Sequence, residues 1–159
     1  MTLQGNIQAK GYLEALISSG NIPHLLLFHG PKGVGKTLWA MKFSRLLLGN
    51  DSKVSCEDLK SWSHPDLLHF HVKGKAGVHT IESMRLLQEE VAFPAYEAKY
   101  RVIIIHEAHQ MLVAGANALL KTLEEPRSNT VIVMLTHKKD AILPTILSRC
   151  QEVRFTPLD

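Results

Sequence analysis

Cysteine is scarce: the chain has two, Cys56 and Cys150, and no CxxC pair. A four-cysteine zinc site is thereby excluded, and such usage suits a reduced, intracellular protein. Aromatic residues make up only 6% of the chain. Trp39 and Trp62 have no aromatic neighbours arranged for base stacking, so both read as packing residues. No apolar run approaches the roughly 18–20 residues that span a bilayer. The opening Met1-Thr2-Leu3-Gln4-Gly5 lacks the charged and apolar regions of a signal peptide. A cytoplasmic protein without a membrane partner is the expectation. Repeats, low-complexity tracts and linker-like stretches are also missing. Charge of one sign is in small excess, +3 with a pI near 8.9. The densest basic cluster, His137-Lys138-Lys139, reads as a solvated turn, so charge alone argues little for nucleic acid.

What remains is a well-apolar chain of 159 residues, 45% hydrophobic and 21% charged, suited to one globular domain. Three apolar runs stand out at His24–Phe28, Val102–Ile105 and Val131–Leu135. They are nearly continuous rather than alternating, as in parallel strands covered on both faces. Asp66–Val72 and Glu152–Phe155 are weaker candidates for two further strands.

Helical spacing fills the intervals. Ile7–Ser19 reads as a helix closed by Gly20 and Pro23, and Lys36–Leu48 as another stopped by Gly49. Ile81, Met84, Leu87 and Val91 share one helical face, as do Ala116, Leu119, Leu120 and Leu123, with Pro126 ending the latter helix. Strands alternating with helices predict right-handed βαβ units and a three-layer αβα fold on a five-stranded parallel sheet.

Gly30-Pro31-Lys32-Gly33-Val34-Gly35-Lys36-Thr37 fits GxxxxGK followed by Ser or Thr, the phosphate-binding P-loop, between an apolar strand and an amphipathic helix. Its glycines let backbone N–H groups wrap phosphates, and the helix N-terminus adds partial positive charge. Lys36 is expected to reach the β- and γ-phosphates of ATP, and the Thr37 hydroxyl to bind Mg²⁺. A carboxylate is expected to close the third strand. The run Arg101–Ile105 ends in His106-Glu107-Ala108-His109, where Glu107 can polarise an attacking water but His106 stands in place of the usual Asp. The same residues are one short of the HExxH of zinc hydrolases and end a strand rather than lie in a helix. Nine histidines invite a metal site at His64, His69 and His71, two of which share a strand face. Without an acidic or cysteine neighbour in sequence, packing or hydrogen bonding is the expected role, and no zinc is expected.

Two longer segments carry a family resemblance. Residues 116–126 (ANALLKTLEEP) and 143–150 (LPTILSRC) resemble bacterial DNA polymerase III clamp-loader subunits, and with the P-loop, Ser63-His64-Pro65-Asp66-Leu67 and the Glu107 region the likeness covers essentially the whole chain. The resemblance implies an AAA+ (RecA-like) P-loop NTPase fold over residues 1–159, with the family's lid and collar domains outside this chain. It implies that Arg149 reaches a neighbouring subunit's ATP in trans, and that Thr136 senses the γ-phosphate. The implied partners are other clamp-loader subunits, with the sliding clamp and primed DNA reached through the complex, and the isolated domain is expected to be monomeric. Gamma/tau relatives carry a four-cysteine module where this chain has only Cys56, which favours the delta-prime type. Delta-prime P-loops are often degenerate, whereas this one is intact, so both types stay open. Because of His106, a non-hydrolysing scaffold subunit that still offers Arg149 also stays open. A small-molecule P-loop kinase would need a substrate lid and an acceptor pocket, and neither has a feature here.

Overall fold

In the computed structural model the described residues are 6–50, 55–124 and 129–157. In chain order they form helix Ile7–Ser19 (α1), strand Leu25–His29 (β1), helices Lys36–Leu47 (α2) and Cys56–Ser61 (α3), strand Leu67–Phe70 (β2) and helix Ile81–Val91 (α4). Strand Arg101–Ile105 (β3), helix Val113–Glu124 (α5), strand Thr130–Thr136 (β4), helix Pro144–Leu147 (α6) and strand Gln151–Arg154 (β5) follow. Single 3₁₀ turns at Ala108–Gln110 and Lys139–Ala141 lead out of β3 and β4.

All neighbouring strands pair in parallel, in the order β2-β3-β4-β1-β5. The continuous apolar runs follow from burial on both faces. Leu26, Phe28, Ile104 and Val133 face one cluster with Ala9, Leu13, Phe43 and Leu59, from α1, α2 and α3. Leu27, Ile103, Ile132 and Met134 face the other with Met84, Leu87, Leu119 and Ile146, from α4, α5 and α6. Each such side chain contributes about 1.5–3 kcal/mol on leaving water. The three-layer α/β fold is therefore that expected from the sequence.

Several boundaries differ. β2 is shorter than Asp66–Val72, covering Leu67–Phe70, and Asp66 just before it is fully buried. Its carboxylate accepts hydrogen bonds from the backbone N–H groups of Tyr96, Glu97 and Ala98, holding the 92–100 loop onto the start of β2. α2 ends at Leu47, with Leu48 as its cap and Gly49 at φ 86° beyond it. β5 covers Gln151–Arg154, although the Phe155 N–H still donates to the His29 carbonyl at 2.8 Å. In α4 the inner face is Ser83, Met84, Leu87 and Val91, whereas Ile81 is 57% exposed. It occupies the first helical position, after the Thr80 cap, beyond the edge of that stripe. Pro126 and the Leu123 side chain lie outside the described residues.

Arg101, 1% exposed, opens β3 with an ion pair to Glu90 and a bond to the Phe93 carbonyl. Together with Asp66 it fixes the route by which α4 returns to the sheet. Burial alone would raise the Asp66 pKa, but three backbone donors overcome it and hold the carboxyl below its ordinary 3.8. Its stabilising contribution is therefore complete above that value and disappears as pH falls through the lower folded-state pKa. Asp66→Asn turns an amide N–H toward backbone donors and should cost about 1–3 kcal/mol near neutral pH. Denaturant titrations at pH 7 and pH 3 should show that gap narrowing in acid.

Candidate functional site

The P-loop runs from the end of β1 into α2. Gly30 has no room for a side chain, since a Cβ there would lie 2.2 Å from the Phe155 carbonyl oxygen. Gly35 caps α2 at φ 95°, a left-handed conformation that glycine adopts freely. Between them Val34 is buried in the core, anchoring the loop from below. The Lys36 ammonium donates to the Gly30 and Pro31 carbonyls at 2.6 and 2.7 Å. Burial pulls its pKa below the ordinary value, and the Glu107 carboxylate opposes that shift.

Lys32, Gly33, Lys36 and Thr37 line one cleft with His106, Glu107, Leu135, Thr136 and His137. Lys36, Thr37, Glu107 and Thr136, predicted from separate stretches, are thus brought together at the carboxyl edge of the sheet. Gly30 and Pro31 border a neighbouring groove lined also by Lys138, Lys139, Arg154 and Phe155. Lys139 there pairs with Glu152 at 3.0 Å. Arg149 lies in the exposed turn between α6 and β5, its N–H bonded to the Ile146 carbonyl at 3.0 Å, and is not among the residues lining the cleft.

Histidines that had no assigned role hold the site's geometry. His109 Nδ1 and the Thr136 hydroxyl are 2.8 Å apart, and Thr136 also accepts the Lys138 N–H at 3.0 Å. His109 Nε2 is 3.7 Å from the Glu107 carboxylate. Burial, and secondarily His137, lower the His109 pKa. Beneath them His79 is fully buried, and its Nε2 donates to the His106 carbonyl at 2.6 Å. His64 stands apart: its Nδ1 accepts the Asp66 N–H at 2.9 Å and its Nε2 meets Glu97 at 3.3 Å, so it has an acidic neighbour after all.

The His106 side chain is turned to β2, its Nε2 2.9 Å from His69 Nδ1 and its ring stacked on His71 at 4.1 Å. Burial, with His71, His69 and His79 around it, lowers its pKa to about 3, so the imidazole is neutral at physiological pH. As a fit for Mg²⁺, the cleft offers the oxygens of Thr37, Glu107 and Thr136, while position 106 offers a nitrogen already engaged elsewhere. No signal in the sequence pairs His106 with residues 69 and 71, because their meeting depends on strand register.

Glu107 itself has φ 48° and ψ 52°, left-handed for a non-glycine residue, at the cap of the 3₁₀ turn. Such a conformation costs of order 1–3 kcal/mol and persists where surroundings enforce it, here His79 on the preceding carbonyl. Glu107→Gly should therefore be more stable than Glu107→Ala by about 1 kcal/mol, against the usual preference for alanine. Equal denaturation midpoints for the two variants would contradict a strained turn.

A family model described as DNA polymerase III, delta subunit, matches residues 5–159. The delta' subunit of DNA polymerase III from Bacillus subtilis (strain 168) is 37% identical over 150 residues, covering 89% of this chain and 45% of the relative. The tau subunit from the same organism is 33% identical over 151 residues, covering 90% of this chain and 26% of the relative. In fold, the chain is similar to a solved DNA polymerase III gamma subunit-related protein from Thermotoga maritima, with TM-score 0.70 and 23% identity over 89% of this chain and 45% of that one. It therefore spans less than half the length of these relatives. The chain belongs to the DNA polymerase III delta-subunit family.

Proposed function

We propose that residues 1–159 are the AAA+ nucleotide-binding domain of a clamp-loader subunit, of the delta-prime type, which binds ATP with Mg²⁺ in the P-loop cleft. The observation that carries this reading is the convergence of Lys36, Thr37, Glu107 and Thr136 on one cleft above a helix N-terminus. Lys36 gives its charge to the β/γ-phosphates in exchange for the two carbonyls it now contacts. Thr37 and Glu107 are the side chains that would hold Mg²⁺, directly or through water. When bound, the metal neutralises charge on the phosphates. Thr136, held by His109, reads the terminal phosphate. The 37% identity to a delta' subunit, against 33% for a tau subunit, supports the delta-prime type, as does the lack of a CxxC pair.

The engagement of His106 with His69 favours a subunit that binds ATP but hydrolyses it poorly, and that offers Arg149 to a neighbour's nucleotide. On this reading the protein is cytoplasmic and works in a heteromeric complex that places a sliding clamp on primed DNA. Among the described residues no helix is long and apolar enough to cross a membrane.

Lys36→Ala should weaken Mg²⁺-ATP binding tenfold to hundredfold, since charge-assisted contacts of this kind are worth roughly 1.5–3 kcal/mol. Equal affinities by calorimetry would refute the cleft as the nucleotide site. Arg149→Ala should leave the chain's own ATP affinity unchanged and lower ATP turnover by the reconstituted complex, where fingers in trans give about 10³–10⁵-fold. Weakened ATP binding in the isolated variant would show instead that Arg149 serves its own site.

A further inference from the structure

Three imidazoles meet at the carboxyl end of β2 and β3, beside the nucleotide cleft. In this parallel pair His69 is in register with Ile104 and Phe70 with Ile105, and the His106 N–H donates to the Phe70 carbonyl at 2.9 Å. Alternation along each strand then puts His69, His71 and His106 on one face of the sheet. One ligand nitrogen from each lies within 4.8 Å of those of the other two. The rings are stacked, His69 on His106 at 5.2 Å and His69 on His71 at 5.7 Å between centroids.

We propose that His69, His71 and His106 form a binding site for a divalent transition-metal ion, zinc or nickel, distinct from the Mg²⁺ position. An all-nitrogen donor set suits these borderline ions and serves Mg²⁺ or Ca²⁺ poorly. Zn–N bonds of about 2.0–2.1 Å in tetrahedral geometry place ligand nitrogens roughly 3.3 Å apart. The His69–His106 separation of 2.9 Å is already near that distance. His69 and His71 are exposed at the strand end, so their rings can fan from stacked to radiating positions without moving the core. That exposure also leaves the fourth position to water. His106 is the fixed member, its backbone held by the Phe70 carbonyl on one side and His79 on the other. His69 and His71 are exposed, so stacking them on the part-buried His106 covers only part of each ring, and packing alone gives weak reason for the cluster. An ion there would clamp β2 to β3 and keep the His106 Nε2 directed at β2, at the border of the cleft that His106 lines.

A second group, Glu107, His109 and His137, also converges within 4.8 Å. Its central member already bonds the Thr136 hydroxyl with one nitrogen and faces Glu107 with the other, so it is the weaker candidate.

The test uses the chelator-stripped chain titrated with Co²⁺ and then Zn²⁺ alone. One Co²⁺ per chain should give a visible d–d band that Zn²⁺ displaces and millimolar Mg²⁺ does not. His69→Ala and His71→Ala should each weaken binding at least tenfold, while His109→Ala retains it, all three keeping the wild-type circular dichroism. His71→Gln provides a second, gentler removal of that ligand. Absence of stoichiometric binding would overturn the site. So would wild-type affinity in the His69 and His71 variants, or loss on His109→Ala alone, which would move the ion to the Glu107 group.

Discussion

A parallel sheet covered on both faces has no place for polar side chains except at its ends, and everything functional in this chain obeys that constraint. Ile103, Ile104 and Ile105 are wholly buried, as are Leu26, Leu27 and Phe28. The next residue along β3 is His106, and the last along β4 and β1 are Thr136 and His29. Because all five strands point the same way, these ends fall on one edge, where the P-loop also leaves β1. Glycine at position 30 then lets the chain after β5 pass against the loop, with the Phe155 carbonyl where a side chain would be. The cleft is a consequence of the sheet's direction before it is a consequence of any one residue.

How much of this was legible depended on whether the signal was contiguous. The P-loop and the helix after it are local, so the sequence placed Lys36 and Thr37 correctly beside each other and at a helix start. The buried strands were legible too, since their hydrophobicity is unbroken. Asp66 was not: it reads as the polar start of a strand, but three backbone donors from a loop some thirty residues away draw it inside. Ile81 shows the opposite failure, an apolar residue with the right spacing that sits one position outside the stripe. The histidines were the least legible. His69 and His71 signalled a shared face, but their third member comes from β3 and is known only once the register is.

The electrostatics of the edge follow from the same crowding. Burial lowers the pKa of His69, His79 and His109, and most of all of His106, where neighbouring imidazoles add to the effect. Neutral imidazoles can stack, accept and donate, whereas cations at these distances would repel one another. The site therefore keeps its positive charge on Lys32 and Lys36, which line the cleft itself. Glu107 is the carboxylate facing them, and its left-handed backbone is maintained by the buried His79 on the preceding carbonyl.

On the proposed reading, nucleotide binding and hydrolysis would draw on different parts of this architecture, so that one substitution would separate them. Phosphate binding on the proposed reading depends on one uninterrupted stretch, Gly30 to Thr37, shaped by backbone and helix. Hydrolysis on that same reading would need Glu107 and Thr136 from the ends of β3 and β4, a metal beside them and a neighbour's arginine. His106 lies beside the second set and outside the first. With a histidine at this position, its ring nitrogen turned toward His69, the cleft that holds Lys36 and Thr37 receives no side-chain oxygen from residue 106. Arg149 is likewise independent, carried on the turn leading into β5, a short strand at the sheet's outer edge. On the proposed reading, a subunit built this way would keep its grip on nucleotide and its offer to a neighbour even where its own turnover is lost.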